Sequence, residues 1–201
     1  EQMYRVDLFL VCDELNYENY SWRNRNRLKT NRGPLLLTVP VQHDRVHLKP
    51  IKNVKIDHGK DWRKKHWLSM SMSYAKAPYF SAHAPFFEGV YRRHWEFLSE
   101  LDIAIIKYLK EALEIRTELV VQSELRLEDK FLSSGGGDAT DRIVMFCREF
   151  GADSFYNGKA GRNYINERKI QDAGVELIYQ EFEHPIYHQL HDGFVSHLST
   201  V

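Results

Sequence analysis

Trp22-Arg23-Asn24-Arg25-Asn26-Arg27 sets six strongly functional side chains in a row. Arginine matches phosphate or carboxylate through a two-pronged fork, and asparagine hydrogen-bonds a base or a sugar. On extended backbone Arg23, Arg25 and Arg27 share one face, and Trp22, Asn24 and Asn26 the other. The run therefore reads as a binding segment with Trp22, Asn24, Arg25 and Asn26 as ligand contacts; the bland alternative is a polar, solvated edge. Two residues have the chemistry of proton transfer. Asp13 ends an apolar run and can act as a base or bind a hydroxyl. His66, in Asp61-Trp62-Arg63-Lys64-Lys65-His66, can act as general acid or base at a helix start.

Further candidates sit where a pocket is expected. Tyr74-Ala75-Lys76-Ala77-Pro78-Tyr79-Phe80 ends a helical stretch, and Tyr74 and Lys76 can line a sugar pocket by stacking and hydrogen bonding. Asn157-Gly158-Lys159-Ala160-Gly161-Arg162 joins a strand to a helix. Its glycines let backbone N–H groups approach an anion, and Lys159 and Arg162 add charge; a tight turn that needs glycine for its dihedrals is the alternative. It lacks the full spacing of a dinucleotide or Walker loop. Ten histidines raise the question of a metal. His184-Pro185-Ile186-Tyr187-His188 has two histidines four apart, but it lacks the glutamate of a zincin and Pro185 breaks the helix that would aim both rings at one ion. His184, Tyr187 and Gln189 are read instead as pocket-lining groups, and no metal site and no cofactor are expected.

The elements that must position these residues follow from periodicity. Residues 6–14 and 35–42 read as strands, and 46–56 as a third extended piece. Helices are expected over 62–75, 86–97 and 101–114, so that 62–115 forms a helical insertion; Leu101, Ile105, Tyr108, Leu109 and Ala112 give the last of them its core face. A strand follows at 117–123. Asp138 caps a helix that ends near Gly151, a strand spans 154–157, a helix fits 162–172 with Gly174 as its stop, and 175–182 is a last strand. Short strand–helix–strand joints imply parallel pairing through right-handed crossovers. The expected fold is α/β: three layers, a mostly parallel sheet flanked by helices, of Rossmann-like or nucleotide-binding type. Ligands in such sheets sit beyond the carboxyl ends of strands, which selects Asp13, Ser123, Gly158 and His184 and suggests one cleft shared by Asp13, the Trp22–Arg27 run and the Gly158–Arg162 turn.

Composition sets the outer limits. The 201 residues hold 28 Lys plus Arg and 28 Asp plus Glu, a formal charge of zero, which argues against a general nucleic-acid binder. Salt-sensitive RNA binding through Arg23, Arg25 and Arg27 is the residual reading of that kind. Aromatics make up 13%, as a folding chain requires. No apolar run reaches transmembrane length. Cys12 and Cys147 read as two reduced, packed thiols. The chain opens at Glu1 and stops at Val201, and is expected to be an α/β domain truncated at both ends.

Four pieces occur in order: Asp13 with Trp22–Arg27; Tyr74 to Phe80; Gly158-Lys159-Ala160-Gly161-Arg162-Asn163-Tyr164; and His184 to Gln189 leading to Phe194 and Ser199. Together they resemble the WbqC-like family over nearly the whole chain, as a single domain over residues 1–201. The family usually shows a second Asp near Asp13 and a Gln near Asn16, where this chain has Cys12, Glu14 and Asn16. The resemblance implies a cytoplasmic bacterial protein of O-antigen and other surface-polysaccharide (lipopolysaccharide) biosynthesis, a transferase modifying a nucleotide-linked or lipid-linked sugar with an acyl or aminoacyl (glycine) donor. It adds Tyr164 to the expected contacts and leaves self-association into a homo-oligomer open. On this reading Arg25 and the Gly158–Arg162 turn hold phosphate, Asp13 or His66 takes a proton, and Tyr74, Lys76 and His184 line the acceptor pocket. The alternative is a non-catalytic sugar-nucleotide or glycan-binding accessory protein.

Overall fold

A computed structural model describes residues 1–43 and 46–198. Its strands are β1 (Leu8–Val11), β2 (Arg25–Thr30), β3 (Gly33–Thr38), β4 (Glu118–Val121), β5 (Ser154–Asn157) and β6 (Glu176–Tyr179). Its helices are α1 (Trp62–Tyr74), α2 (Phe80–Arg92), α3 (Leu98–Ala112), α4 (Leu127–Ser133), α5 (Ala139–Glu149) and α6 (Glu167–Asp172). They gather into two compact units, one from Glu1–Glu14 and Lys110–Glu183, the other from Leu15–Leu109 and His184–Val201.

In the first unit β1 pairs in parallel with β4, from Leu8 opposite Glu118 to Val11 opposite Val121. Parallel pairing puts both carboxyl ends at one edge, so Asp13 and Ser123, each two residues past its strand, emerge side by side. The β5–α6–β6 crossover is also parallel, from Ser154 opposite Glu176 to Asn157 opposite Tyr179. Its core is Val144, Cys147, Ile165, Ile170 and Val175. Asp138 caps α5 as expected: its carboxylate accepts from the N–H groups of Thr140 and Asp141 at 2.8 and 3.0 Å, and Asp141 returns the bond to the Asp138 N–H at 2.9 Å. Lys169 of α6 bridges both carboxylates, and its hydrogen bond is the main reason the Asp138 carboxyl is pushed down to about 2. The helix expected over 162–172 is split. A 3-10 turn covers Lys159–Asn163, and α6 begins only where the Asn166 side chain accepts the Lys169 N–H at 3.3 Å; such a cap starts a helix at its own position. Gly174, at φ +76°, ends it. Helix α4 was outside the sequence expectation; Leu127 and Phe131, one turn apart, bury its inner face.

In the second unit β2 and β3 form an antiparallel hairpin through the Asn31-Arg32 turn, with Gly33 at φ +102°. The six-residue polar run is only partly extended: Trp22–Asn24 is a 3-10 turn and the strand starts at Arg25. Residues 46–56 are not a strand. Pro50, with no N–H to give a ladder, separates 3-10 turns at Val46–Leu48 and Ile51–Asn53. Helix α2 begins six residues before the sequence suggests and runs through Pro85. The proline forfeits one backbone bond there, while the apolar face continues on either side of it. The core joins Val41, Val54 and Ile56 to Trp62, Trp95, Leu98 and Leu101.

The chain is thus a mixed helix-and-strand protein of roughly α/β type. Among the described residues its ladders are three separate pairs, β1–β4, β2–β3 and β5–β6, rather than one continuous three-layer sheet. No disulfide joins Cys12 and Cys147. No helix among the described residues is long and apolar enough to cross a membrane.

Candidate functional site

Three helical stripes and the hairpin enclose a cavity of about 530 Å³ in the second unit. Helix α1 contributes His66, Trp67, Met70 and Tyr74; α2 contributes Phe80, Ala84, Phe87 and Tyr91; α3 contributes Asp102, Ile105, Ile106 and Leu109. Each set recurs at three- and four-residue spacing, so each is one face of its helix. Leu28, Leu37 and Val39 close the hairpin side, and Trp22, Arg23, Asn24, Arg25 and Asn26 line its polar end. The volume falls in the range of small-molecule sites, and a mostly apolar lining with a few placed polar groups is their usual chemistry.

Most polar groups on this wall are already bonded. The Asn24 amide donates to the Val39 carbonyl at 2.8 Å, and its backbone carbonyl accepts from the Val39 N–H at 2.9 Å. The Tyr74 hydroxyl accepts the Lys29 N–H at 3.0 Å. His83 and the Tyr108 hydroxyl share a bond at 2.8 Å. Arg23 donates to the Asn16 carbonyl at 2.5 Å and lies 3.5 Å from the Glu18 carboxylate. Other groups on this wall have no partner among the described residues. Asn24 Oδ1 is buried without a partner, on a residue only 6% exposed. Arg25 Nε is buried without a partner, its guanidinium 5.5 Å from the Tyr20 ring centre. The Asp102 carboxyl faces the cavity, and no hydrogen bond or ion pair reaches it. Leaving such groups unmade is costly, and a ligand that supplies their partners recovers that cost.

Burial sets the protonation of this wall. It pushes Asp102 up to about 8, so the carboxyl is largely protonated at neutral pH. It pushes His66 down to about 4, against a smaller opposing effect of its hydrogen bond to the Thr38 backbone, so the imidazole is neutral. Burial likewise raises the Tyr91 phenol to about 12. The cavity's charge is then that of Arg23 and Arg25, and Arg25 keeps a buried donor, Nε, with no partner among the described residues.

The sequence candidates divide between the two units. Trp22, Asn24, Arg25, Asn26, His66 and Tyr74 converge on the cavity, with Trp22 and Asn26 exposed. Lys76, just past α1, is exposed and does not line it. Asp13, 4% exposed, spends both carboxylate oxygens on Ser123, accepting its N–H at 3.0 Å and its hydroxyl at 2.6 Å. This pair belongs to the first unit, as does the Gly158–Arg162 turn. There the Gly158 N–H donates to Asn157 Oδ1 at 2.9 Å and the Gly161 N–H to the Gly158 carbonyl at 2.9 Å. Arg162 lies over the Tyr179 ring at 4.1 Å, and the Tyr164 hydroxyl accepts from the Asn157 amide at 3.3 Å. Gly161 is a close-packing residue: a Cβ there would stand 2.3 Å from Asn157 Nδ2.

His184, Tyr187 and Gln189 lie in the second unit. The His184 ring is 6.0 Å from Tyr187 and 5.9 Å from Phe194, and Gln189 clasps the Val195 backbone in both directions, at 2.8 and 3.0 Å. Buried Lys29 ties this segment to β2 through the carbonyls of His191 and Gly193. Ser199, the end of the fourth sequence piece, lies outside the described residues. Among the described residues no three His, Cys, Asp or Glu side chains group as metal ligands. Asp102 and the aromatic stripe Phe80–Tyr91 are absent from the sequence reading. Asp102 adjoins the helix's core-facing Leu101, a signal that an acid stands beside buried surface.

Fold and cavity define a roughly α/β protein whose second unit holds a ligand-sized cavity. The chain belongs to the WbqC-like protein family, whose model matches residues 1–201. It is similar to the "Uncharacterized protein Rv1507c" of Mycobacterium tuberculosis, with 31% identity over 193 residues, 94% of this chain and 79% of that protein. No solved structure matches it.

Proposed function

We propose that the chain is a transferase of bacterial O-antigen and surface-polysaccharide biosynthesis, acting in the cytoplasm on a nucleotide-linked or lipid-linked sugar with an acyl or aminoacyl donor. The observation that carries this reading is the convergence of Trp22, Asn24, Arg25, Asn26, His66 and Tyr74 on one cavity that retains a guanidinium with an unused donor. In acyl transfer an acceptor hydroxyl or amine attacks the acyl carbonyl, loses its proton, and expels the donor's leaving group. Arg25 would hold the phosphate of the sugar substrate, by a fork that an ammonium does not reproduce. Asn24 Oδ1 would accept from a sugar hydroxyl, and the apolar helical stripes would exclude water. His66, neutral at working pH, has an imidazole able to share the acceptor's proton, and Asp102, protonated, is the group able to return one.

A non-catalytic binding role is favoured by two specific observations. Asp13 has both oxygens committed to Ser123, and an imidazole pushed down to about 4 is a weak proton acceptor near pH 7. Incubation with sugar nucleotides and acyl or aminoacyl donors, read by mass spectrometry, separates the two. New acyl-sugar product that disappears in Arg25→Lys supports the transferase. Saturable binding with no product under any donor supports the binder.

A further inference from the structure

We infer that the cavity of the second unit takes a ligand bearing both a primary amine and an anionic group, the amine seated at the Asp102 carboxyl and the anion at the Arg25 guanidinium. This deepens the proposed function and rests on its placing the substrate in this cavity. The argument is one of complementarity. Asp102 lies on the α3 stripe that faces the cavity, and among the described residues no side chain or backbone group bonds it. Asn24, 6% exposed, presents a second unpartnered acceptor, Oδ1, on the same wall. Arg25 presents the unpartnered donor, Nε. A wall with two idle acceptors, one of them an acid, and one idle cation is matched by a molecule with N–H donors at one place and negative charge at another. A ligand with phosphate and hydroxyls alone would satisfy Arg25 and meet the Asp102 carboxyl only in its protonated form, as a neutral hydrogen-bond partner. An ammonium forms a charge-assisted bond to that acid. Burial alone holds the carboxyl in its neutral form, as expected of a group awaiting a counter-charge.

The chemistry has two sources within the proposed reaction, an amino sugar on a nucleotide or an amino acid donor. Isothermal titration of the full chain distinguishes them with two probe pairs: UDP-glucosamine against UDP-N-acetylglucosamine, and L-phenylalanine against 3-phenylpropanoate. In at least one pair the amine-bearing member is expected to bind about ten- to a hundredfold more tightly than its amine-free partner. Asp102→Asn is expected to abolish that preference in a protein that its thermal melt shows to be folded. The wild-type comparison needs no variant, so a misfolded Asp102→Asn does not blunt the test. Equal affinities within both pairs overturn the inference, as does a preference that survives Asp102→Asn. Equal affinities that still fall in Arg25→Lys sink the amine alone and leave the proposed site standing. Absence of binding by all four probes sinks both.

Discussion

Replacing Asp102 by asparagine tests how far the cavity disfavours a charge. The carboxyl is raised from its ordinary 3.8 to about 8 by burial. Between these values the folded chain keeps a proton that the unfolded chain has released, so stability falls as pH rises. The carboxyl's contribution is fully present below about pH 3.8 and gone above about pH 8. At about 1.4 kcal/mol per pH unit, the interval from pH 5 to 8 is worth roughly 4 kcal/mol. Water entering the cavity beside the carboxyl screens part of this, which leaves about 2–3 kcal/mol. Asparagine is close in shape and does not titrate. Urea denaturation of wild type and Asp102→Asn at pH 5 and pH 8.5 should show the variant gaining about 2–3 kcal/mol on wild type between the two. A gap that changes by less than about 0.5 kcal/mol would refute the reasoning, because the carboxyl would then ionise as freely in the folded chain as in water.

Three further outcomes follow. His66, held at about 4 instead of its ordinary 6.5, should stay neutral in an NMR titration down to about pH 4; its contribution to stability is present above pH 6.5 and lost as pH falls through 4, opposite in sign to that of Asp102. A midpoint near 6.5 would place the ring in solvent. Asp13→Ala should cost about 2–4 kcal/mol in a denaturant melt, because it strips two bonds from Ser123; an unchanged melt would return Asp13 to a functional role. Gly161→Ala should cost about 1–3 kcal/mol, since its methyl meets Asn157 Nδ2 at 2.3 Å and Ile165 Cδ1 at 3.0 Å. A neutral substitution there would show that the turn has room for a ligand.

Local chemistry was legible in the sequence wherever one residue decides the backbone. Asp138 as a cap, Gly174 as a stop and the parallel β5–α6–β6 unit all follow from side-chain acceptors, free dihedrals and short joints. Helix α1, which carries His66 and Tyr74, was legible because Pro78 stops it. Other features depend on tertiary packing. Spacing puts Leu101, Ile105 and Leu109 on the buried face of α3 and leaves Asp102 as its polar neighbour; only the stripes of α1 and α2 opposite it turn that position into a cavity wall. The strand-end rule selected Asp13 and Ser123 separately; that they meet follows from the parallel pairing of β1 with β4. It gave no means of assigning the Gly158–Arg162 turn to the first unit and the Trp22–Arg27 run to the second, since strand order and unit membership depend on contacts far apart in sequence.

The central claim is that Arg25 anchors an anionic substrate in the cavity of the second unit. Titration of a sugar nucleotide into wild type and Arg25→Lys, with thermal melts of both, tests it most directly. Lysine keeps the charge and loses the fork, so affinity should fall by roughly one to two decades while the melting temperatures agree. Equal affinities in two equally stable proteins would contradict the claim, and a collapsed melt would make Arg25 a structural residue.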